Sequence, residues 1–489
     1  MKTPPVAATN PSPTFRTRGV IEGFYGRPYS WDERATLVRF IGARDMNTYV
    51  YAPKDDPLHR AHWRDLYARA DIEGFVRLAR IASACGVRFV YAIAPGLSYA
   101  ASDPSEFARL AGKIGQLLDA GVHGIALLFD DLTADSSALN PVVQADLVAQ
   151  VRELLPAGPC RDAFWFIGNH YAGRGRDLEA GRVAFPGLYP GHPCDWFDAY
   201  AERVPAEVPV GWTGPAVFSA RIDAGDAAEF RRFARRPVLV WDNFPVNDAL
   251  LRPSLFLGPY LGRDPRLVDE VDGILANLML QPSAQRIALA TVADFLRDPL
   301  AYDPESSHAQ AVEEVGAAGA DALRVFVDHH RSHPVLAPRA DAATLHELAG
   351  RALGATPEAG ARGALRAHLD GIVAAMEQLP GSLPDAETWE EIEPWAAKLA
   401  SLARAALAGL DAVEGSGPAD AFVLLRDVAQ ALPQSVARTT LPEQLFAWRM
   451  QGAPPGEAFA FFDGITPADG VDRFSDLFEE ISGALRVRA

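Results

Sequence analysis

The stretch I-A-L-L-F-D-D, Ile125–Asp131, decides the predicted fold, because it is an apolar run that ends in two adjacent aspartates. Burying one carboxylate without a partner costs free energy, and two neighbouring carboxylates also repel each other. A chain that only has to leave a strand can do so with Gly, Asn or Ser. The pair Asp130 and Asp131 therefore indicates a buried strand whose end carries chemistry.

Apolar runs of this kind recur from about Arg18 to about Asn277, each followed by a polar turn and a helical stretch. They are near-continuous rather than alternating, which is typical of parallel strands covered on both faces. Eight such units over roughly 260 residues predict a (β/α)8 TIM-type barrel. An open doubly wound sheet is the alternative, but no G-x-G-x-x-G follows the first run. In chain order the runs are GVIEGFYG (19–26), TYVYAP (48–53), RFVYAIAPG (88–96), GIALLFDD (124–131), AFWFIG (163–168), VPVGWTG (208–214), PVLVWDN (237–243) and DGILAN (272–277).

Beyond Pro299 the sequence becomes rich in Ala and Leu and has helical periodicity. LASLARAALAGLDAV (399–413) places Leu399, Leu402, Ala406, Leu410 and Val413 along one stripe. HAQAVEEVGAAGADALRVFVDHH (308–330) is a segment of the same type. We therefore predict three parts: a disordered N-terminal tail over residues 1–14, a barrel catalytic domain over 15–300 and an all-α helical bundle domain over 301–489.

Composition limits the classes of partner. The chain has 46 Lys and Arg against 63 Asp and Glu, and its net charge of -17 disfavours nucleic acid and anionic membrane surfaces. No apolar run reaches the ~18 residues of a membrane span, and the first residues lack the apolar core of a secretory signal. The three cysteines have no C-x-x-C spacing, which argues against a disulfide framework or a zinc cluster. We predict a cytoplasmic protein.

The predicted strands end in polar and aromatic residues, at the edge where barrels of this kind carry their chemistry. Carboxylates, amides, one lysine and aromatic rings together are typical of a sugar pocket, because rings stack on the sugar and fixed polar groups pair with its hydroxyls. The candidates are Gly23, Lys54, Asp130, Asp131, Tyr171, Thr213, Trp241, Asn243, Asp248 and Asn277.

Each candidate also has a purely structural interpretation. Asp130 and Asp131 could cap a turn, and Lys54 could belong to an exposed charge cluster. Trp241 could lie in the core. Histidines in PLHRAHW (57–63) and DHHRSH (328–333) could bind a metal, but no H-E-x-x-H motif is present, and we predict solvated helix positions for both groups.

Several long motifs resemble family 84 of the glycoside hydrolases, the O-GlcNAcases. They are GVIEGFYGRPYSW, MNTYVYAPKDDPLHRAHWRDLY, YAIAPGL, ALLFDDL, WTGP, VLVWDNFPVND and LFLGPYLGR, in this order along the chain. The resemblance implies a retaining exo-β-N-acetylglucosaminidase that removes O-linked GlcNAc from Ser and Thr of proteins. It also implies that no metal or cofactor takes part. The 2-acetamido group of the substrate is implied to attack and form an oxazoline intermediate, so the protein needs no nucleophile.

The same resemblance assigns roles to the candidates. Asp130 holds and charge-stabilises the acetamido N–H, and Asp131 protonates the leaving oxygen and later acts as base toward water. Two close carboxyl groups titrate as a coupled pair, which predicts that one pKa rises. Adjacency at a strand end predicts one aspartate on each side of the pleat. Gly23, Lys54, Asp248 and Asn277 are implied to bind sugar hydroxyls, and Tyr171, Thr213, Trp241 and Asn243 to line the acetamido pocket.

Three other functions stay open at this point. A hexosaminidase acting on hyaluronan or free glycans would use the same fold. A metal-dependent barrel enzyme would use the aspartate pair as ligands. A non-catalytic module that binds GlcNAc-modified proteins would gain little from a coupled carboxyl pair. The sequence also leaves a homodimer open.

Overall fold

Eight parallel strands close into a barrel in which each strand pairs with its neighbours in the chain and β1 pairs with β8. The structure is a computed structural model, and it describes residues 14–252, 254–333, 336, 342–431 and 473–488. Each predicted apolar run overlaps one of the strands, which confirms the (β/α)8 barrel. The strands are β1 Thr17–Glu22, β2 Thr48–Tyr51, β3 Arg88–Ile93, β4 Gly124–Leu128, β5 Trp165–Ile167, β6 Val210–Trp212, β7 Val238–Asp242 and β8 Gly273–Asn277.

The strands are short and almost completely buried, because they face the packed barrel interior on one side and helices on the other. Their continuous hydrophobicity follows from this double burial. The helix after β1 begins with a capping box formed by Ser30 and Glu33. The helices of this part of the chain are α1 Trp31–Gly42, α2 Arg69–Ala84, α3 Pro104–Asp119, α4 Pro141–Leu154, α5 Pro159–Asp162, α6 Gly175–Glu179, α7 Pro193–Arg203, α8 Ala224–Ala234 and α9 Arg286–Arg297.

The chain beyond the barrel is helical where the structure describes it. The segment 308–330 is not one helix: α10 ends at Gly316, Ala317 takes a positive φ of 45°, and a second helix follows. Glycines at 316 and 319 explain the break, since glycine disfavours helix interiors. The helices are α10 Pro304–Gly316, α11 Ala320–Asp328, α12 Ala343–Leu353, α13 Ala361–Gln378, α14 Ala386–Glu414, α15 Ala419–Ala431 and α16 Arg473–Arg488.

Helix α14 docks the helical part onto the barrel at the turn between β8 and α9. The Glu391 carboxylate accepts main-chain N–H groups of Ser283 and Ala284, at 2.8–3.0 Å. Arg286 at the start of α9 pairs with Asp385, 2.6 Å away. The exact limits of the three predicted parts stay a prediction, and residues 1–13 of the tail lie outside the described residues.

The prediction of solvated histidines is wrong for His59 and His333, whereas His62 is exposed as predicted. His59 is 0% exposed, its Nδ1 lies 2.7 Å from the Ala92 carbonyl oxygen, and burial lowers the pKa of His59 to about 3. His333 is also buried, and His330 stacks on Phe326. Long-range packing that the local pattern does not encode covers these side chains. Within the described ranges, no cluster of three or more His, Cys, Asp or Glu side chains is arranged to hold a metal, and no helix is long and apolar enough to span a membrane.

Candidate active site

A cavity of about 420 Å³ opens at the carboxyl ends of the strands. The parallel arrangement brings all the strand-end candidates to this one place. The cavity is lined by all ten of them, Gly23, Lys54, Asp130, Asp131, Tyr171, Thr213, Trp241, Asn243, Asp248 and Asn277, and also by Tyr25, Ile167, Val217, Phe218 and Val246.

Lys54 and Asp130 form an ion pair inside the cavity. The Lys54 ammonium contacts Oδ2 of Asp130, and the two residues are only 5% and 6% exposed. The other carboxylate oxygen, Oδ1, is buried and has no hydrogen-bond partner among the residues that the structure describes. A buried acceptor without a donor costs about 1–3 kcal/mol. Asp130 is therefore prepared to accept an N–H or O–H group of a ligand, and an exposed charge cluster is ruled out for Lys54.

Asp131 lies in a turn rather than in the pleat of the strand. β4 ends at Leu128, and the backbone of Asp131 is left-handed, with a φ of 53°. This turn, and not the alternation of a strand, directs the two aspartates apart. Each carboxylate oxygen of Asp131 accepts a phenol: Oδ1 from Tyr171 at 2.8 Å and Oδ2 from Tyr25 at 3.0 Å. The two carboxylates thus have different surroundings, one paired with a cation and one with hydroxyls.

A chain of hydrogen bonds orders the opposite wall of the cavity. Asn243 Nδ2 donates to the Val217 carbonyl at 2.7 Å, and Asn243 Oδ1 accepts from Trp241 Nε1 at 3.1 Å and from Asn277 Nδ2 at 3.0 Å. Asn277 Oδ1 in turn accepts the main-chain N–H of Gly23, 3.1 Å away. The orientation of each amide is therefore set by its neighbours.

Gly23 forms part of the cavity floor because no larger residue fits there. A Cβ atom at this position would lie 2.4 Å from Cζ2 of Trp241 and 3.0 Å from Oδ1 of Asn277. The absent side chain leaves room for the Trp241 ring and the Asn277 amide to pack against the backbone.

The remaining candidates lie at the cavity with different contacts. Asp248 Oδ2 accepts the main-chain N–H of Tyr25 at 2.8 Å, which ties the loop after β7 to the loop after β1. The hydroxyl of Thr213 donates to the Ala216 carbonyl at 2.9 Å and so stabilises its own turn.

Tyr25 is the site residue that the sequence analysis missed. The sequence predicts a binding role only for Gly23 of the motif G-F-Y-G, whereas the Tyr25 ring is also buried next to Asp131. The available signal was an aromatic residue between two glycines at the end of a buried strand, where nothing apolar is required.

The fold and the paired buried carboxylates at its carboxyl edge define a (β/α)8 barrel of the glycoside hydrolase class. Residues 18–328, well over half of the chain, match the sequence model of NAGidase, beta-N-acetylglucosaminidase. The chain belongs to this family.

Named relatives agree with this membership. Over 284 residues the chain is 32% identical to the protein O-GlcNAcases of Rattus norvegicus and Mus musculus, a match that covers 57% of this chain and 30% of each relative. The chain thus matches less than a third of the length of these two relatives. A solved structure of a mutant of the Thermobaculum terrenum O-GlcNAc hydrolase is 26% identical, with a TM-score of 0.73, and the match covers 97% of this chain and 95% of that one.

Proposed function

We propose that the protein is a retaining exo-β-N-acetylglucosaminidase that removes O-linked GlcNAc from Ser and Thr of proteins. One observation carries the proposal: Asp130 has one oxygen on Lys54 and a second, buried oxygen without a partner among the described residues. A carboxylate in this state fits the N–H of a 2-acetamido group. Family membership and the O-GlcNAc hydrolases among the relatives support the choice of sugar.

In the proposed reaction the substrate supplies the nucleophile. The acetamido oxygen forms a bond to the anomeric carbon while the bond from that carbon to the Ser or Thr oxygen breaks. Asp131 transfers its proton to the leaving oxygen, and Asp130 accepts the acetamido N–H and stabilises the positive charge of the resulting oxazoline. Asp131 then takes a proton from a water that opens the ring. Two inversions at the same carbon retain its configuration.

The other cavity residues hold the sugar in this geometry. Gly23, Lys54, Asp248 and Asn277 bind its hydroxyls. Tyr171, Thr213, Trp241 and Asn243 enclose the acetamido group, so that its oxygen faces the anomeric carbon. The wall of mutually hydrogen-bonded amides supports these roles, because it is ordered before a ligand binds.

Two variants assayed against two substrates test the mechanism. Asp131→Asn should lose roughly 10²–10⁴-fold in turnover of a GlcNAc-modified Ser peptide, but much less with a dinitrophenyl glycoside, whose leaving group needs no proton. Asp130→Asn should lose roughly 10²–10³-fold with both substrates. The exposed Glu73→Gln is the matched control. Unchanged peptide turnover by Asp131→Asn would remove this residue from the mechanism.

A GlcNAc-derived thiazoline, which mimics the bicyclic intermediate, provides an independent test. Strong competitive inhibition is expected, and indifference would favour a hexosaminidase of another mechanism or a binding module. The expectation of a cytoplasmic location and the open question of a homodimer are tested separately, by fractionation of cells and by analytical ultracentrifugation.

A further inference from the structure

Arg60 is a buried cation that has no role in the proposed mechanism described above. It follows β2, in the loop that carries Lys54, and is 5% exposed. Among the residues that the structure describes, it forms no ion pair with a side-chain carboxylate. Burial lowers the pKa of Arg60, but Tyr25, Asp131 and Asp130 raise it, and the net pKa lies above its usual value, so the guanidinium stays charged.

Two nitrogens of the Arg60 guanidinium are linked to Asp131 by hydrogen bonds, one directly and one through Tyr25. Nη2 donates to the main-chain carbonyl of Asp131 at 2.6 Å, and Nη1 donates to the hydroxyl oxygen of Tyr25 at 2.7 Å. The Tyr25 hydroxyl donates to Oδ2 of Asp131 at 3.0 Å. The three residues therefore form a closed circuit that fixes the peptide and the side chain of Asp131 together.

The circuit matters because the backbone of Asp131 is left-handed, with a φ of 53°. Aspartate enters this region more readily than most residues, but the conformation still costs free energy unless surrounding contacts hold it. The hydrogen bond from Arg60 to the Asp131 carbonyl provides such a hold.

We propose that Arg60 is a positioning residue for the proposed general acid, acting through Tyr25 and through the Asp131 carbonyl. A guanidinium can only donate, so the Tyr25 oxygen accepts from Arg60 and its hydrogen points at Oδ2 of Asp131. An oxygen that accepts this hydrogen bond does not carry the acid proton. The proton is assigned to Oδ1, because its partner, the Tyr171 hydroxyl 2.8 Å away, can accept from a protonated Oδ1 as well as donate to it. From Oδ1 the proton passes to the glycosidic oxygen.

The inference rests on the proposed function and predicts a selective loss. Arg60→Met removes both hydrogen bonds at nearly constant volume. Turnover of a GlcNAc-modified Ser peptide should fall roughly 10- to 100-fold, as for a misplaced catalytic group. Turnover of a dinitrophenyl glycoside should fall no more than about threefold, because this leaving group needs no proton.

Arg64→Met is the matched control. Arg64 lies on the same loop, but its guanidinium contacts Glu106 and Ser98 and neither Tyr25 nor Asp131. When turnover is normalised to the amount of folded protein, Arg64→Met should change the turnover of both substrates by the same factor. An equal loss on both substrates with Arg60→Met would reduce Arg60 to a structural residue and overturn the inference.

Tyr25→Phe tests the circuit without removing a buried charge, and serves if Arg60→Met does not fold. Its loss of turnover should depend on the leaving group in the same way as that of Arg60→Met. The double variant should lose little more turnover than either single variant. Additive losses would contradict a shared pathway. If Asp131→Asn lacks a leaving-group dependence, the proposed function itself fails. If Asp131→Asn shows it while Arg60→Met and Tyr25→Phe do not, only the role of Arg60 fails.

Discussion

The ends of β4 and β7 each carry a buried aspartate after a run of apolar residues, yet the two carboxylates have opposite surroundings. Both oxygens of Asp242 are occupied by the Arg263 guanidinium, one at 2.7 Å, and the Tyr260 hydroxyl also donates to it. Asp130 has Lys54 on one oxygen and no partner on the other among the described residues. Because its hydrogen bonds are complete, Asp242 has a structural role. Because one oxygen of Asp130 lacks a partner among the described residues, Asp130 can accept a hydrogen bond from a ligand.

We expect the largest effect for Asp242 at the end of β7, where a substitution should lower the stability of the protein. Asp242→Asn leaves the Arg263 guanidinium, whose side chain is 2% exposed, without its counter-charge. We expect a loss of about 3–5 kcal/mol in the free energy of unfolding, measured by urea denaturation. As a control, Glu73→Gln breaks the exposed pair with Arg69 and should change stability by less than about 0.5 kcal/mol. A similarly small change for Asp242→Asn would break the comparison.

A substitution of Asp130 should have a smaller effect on the free energy of unfolding. Asp130→Asn keeps an oxygen for Lys54 and removes a buried charge that is only partly hydrogen-bonded. Its cost in the free energy of unfolding should be smaller than that of Asp242→Asn, because the relieved carboxylate offsets part of the lost ion pair. Urea denaturation of both variants under the same conditions measures the difference. Equal losses would show that the free oxygen of Asp130 does not distinguish the two strand ends.

Glu391, at the junction of the barrel and α14, is a third carboxylate that can be compared with Asp242 and Asp130. Oε2 accepts the main-chain N–H groups of Ser283 and Ala284, and Oε1 also accepts that of Ser283. Burial nevertheless raises the pKa of Glu391 to about 7, from an ordinary value of 4.5. The folded state thus binds the proton more tightly than the unfolded state does. Its contribution to stability, on the order of 1–3 kcal/mol, is complete below about pH 4.5 and lost as the pH rises through about 7.

Glu391→Gln should flatten this part of the pH dependence, as measured by urea denaturation at intervals between pH 4.5 and 8. Glu390→Gln changes an exposed neighbour on the same helix and should leave the dependence as it is. An identical slope in the wild type and Glu391→Gln would assign the titration to another group.

The sequence predicted the barrel because burial on both faces of a parallel strand requires continuous apolar runs, and each run overlaps a strand. It also brought ten residues to one cavity, since parallel strands place their carboxyl ends together. Contacts across the fold were not predictable. The hydrogen bonds of Arg60 reach residues 35 and 71 positions away in the chain, and the burial of His59 depends on the same folded loop.

Local rules also failed where two of them competed. The apolar periodicity of 308–330 favoured one helix, and the glycines at its centre ended it. At the end of β4 we expected strand alternation to separate the two aspartates, whereas a turn does so.

The left-handed backbone at residue 131 narrows which amino acids evolution can place there. Aspartate and asparagine are among the few side chains with a carbon β that enter this conformation readily. Glutamate would preserve the acid but combine a longer arm with an unfavourable backbone, and glycine would suit the turn without any acid. Aspartate alone meets both demands, so a library of all twenty residues at this position should yield a single fully active member.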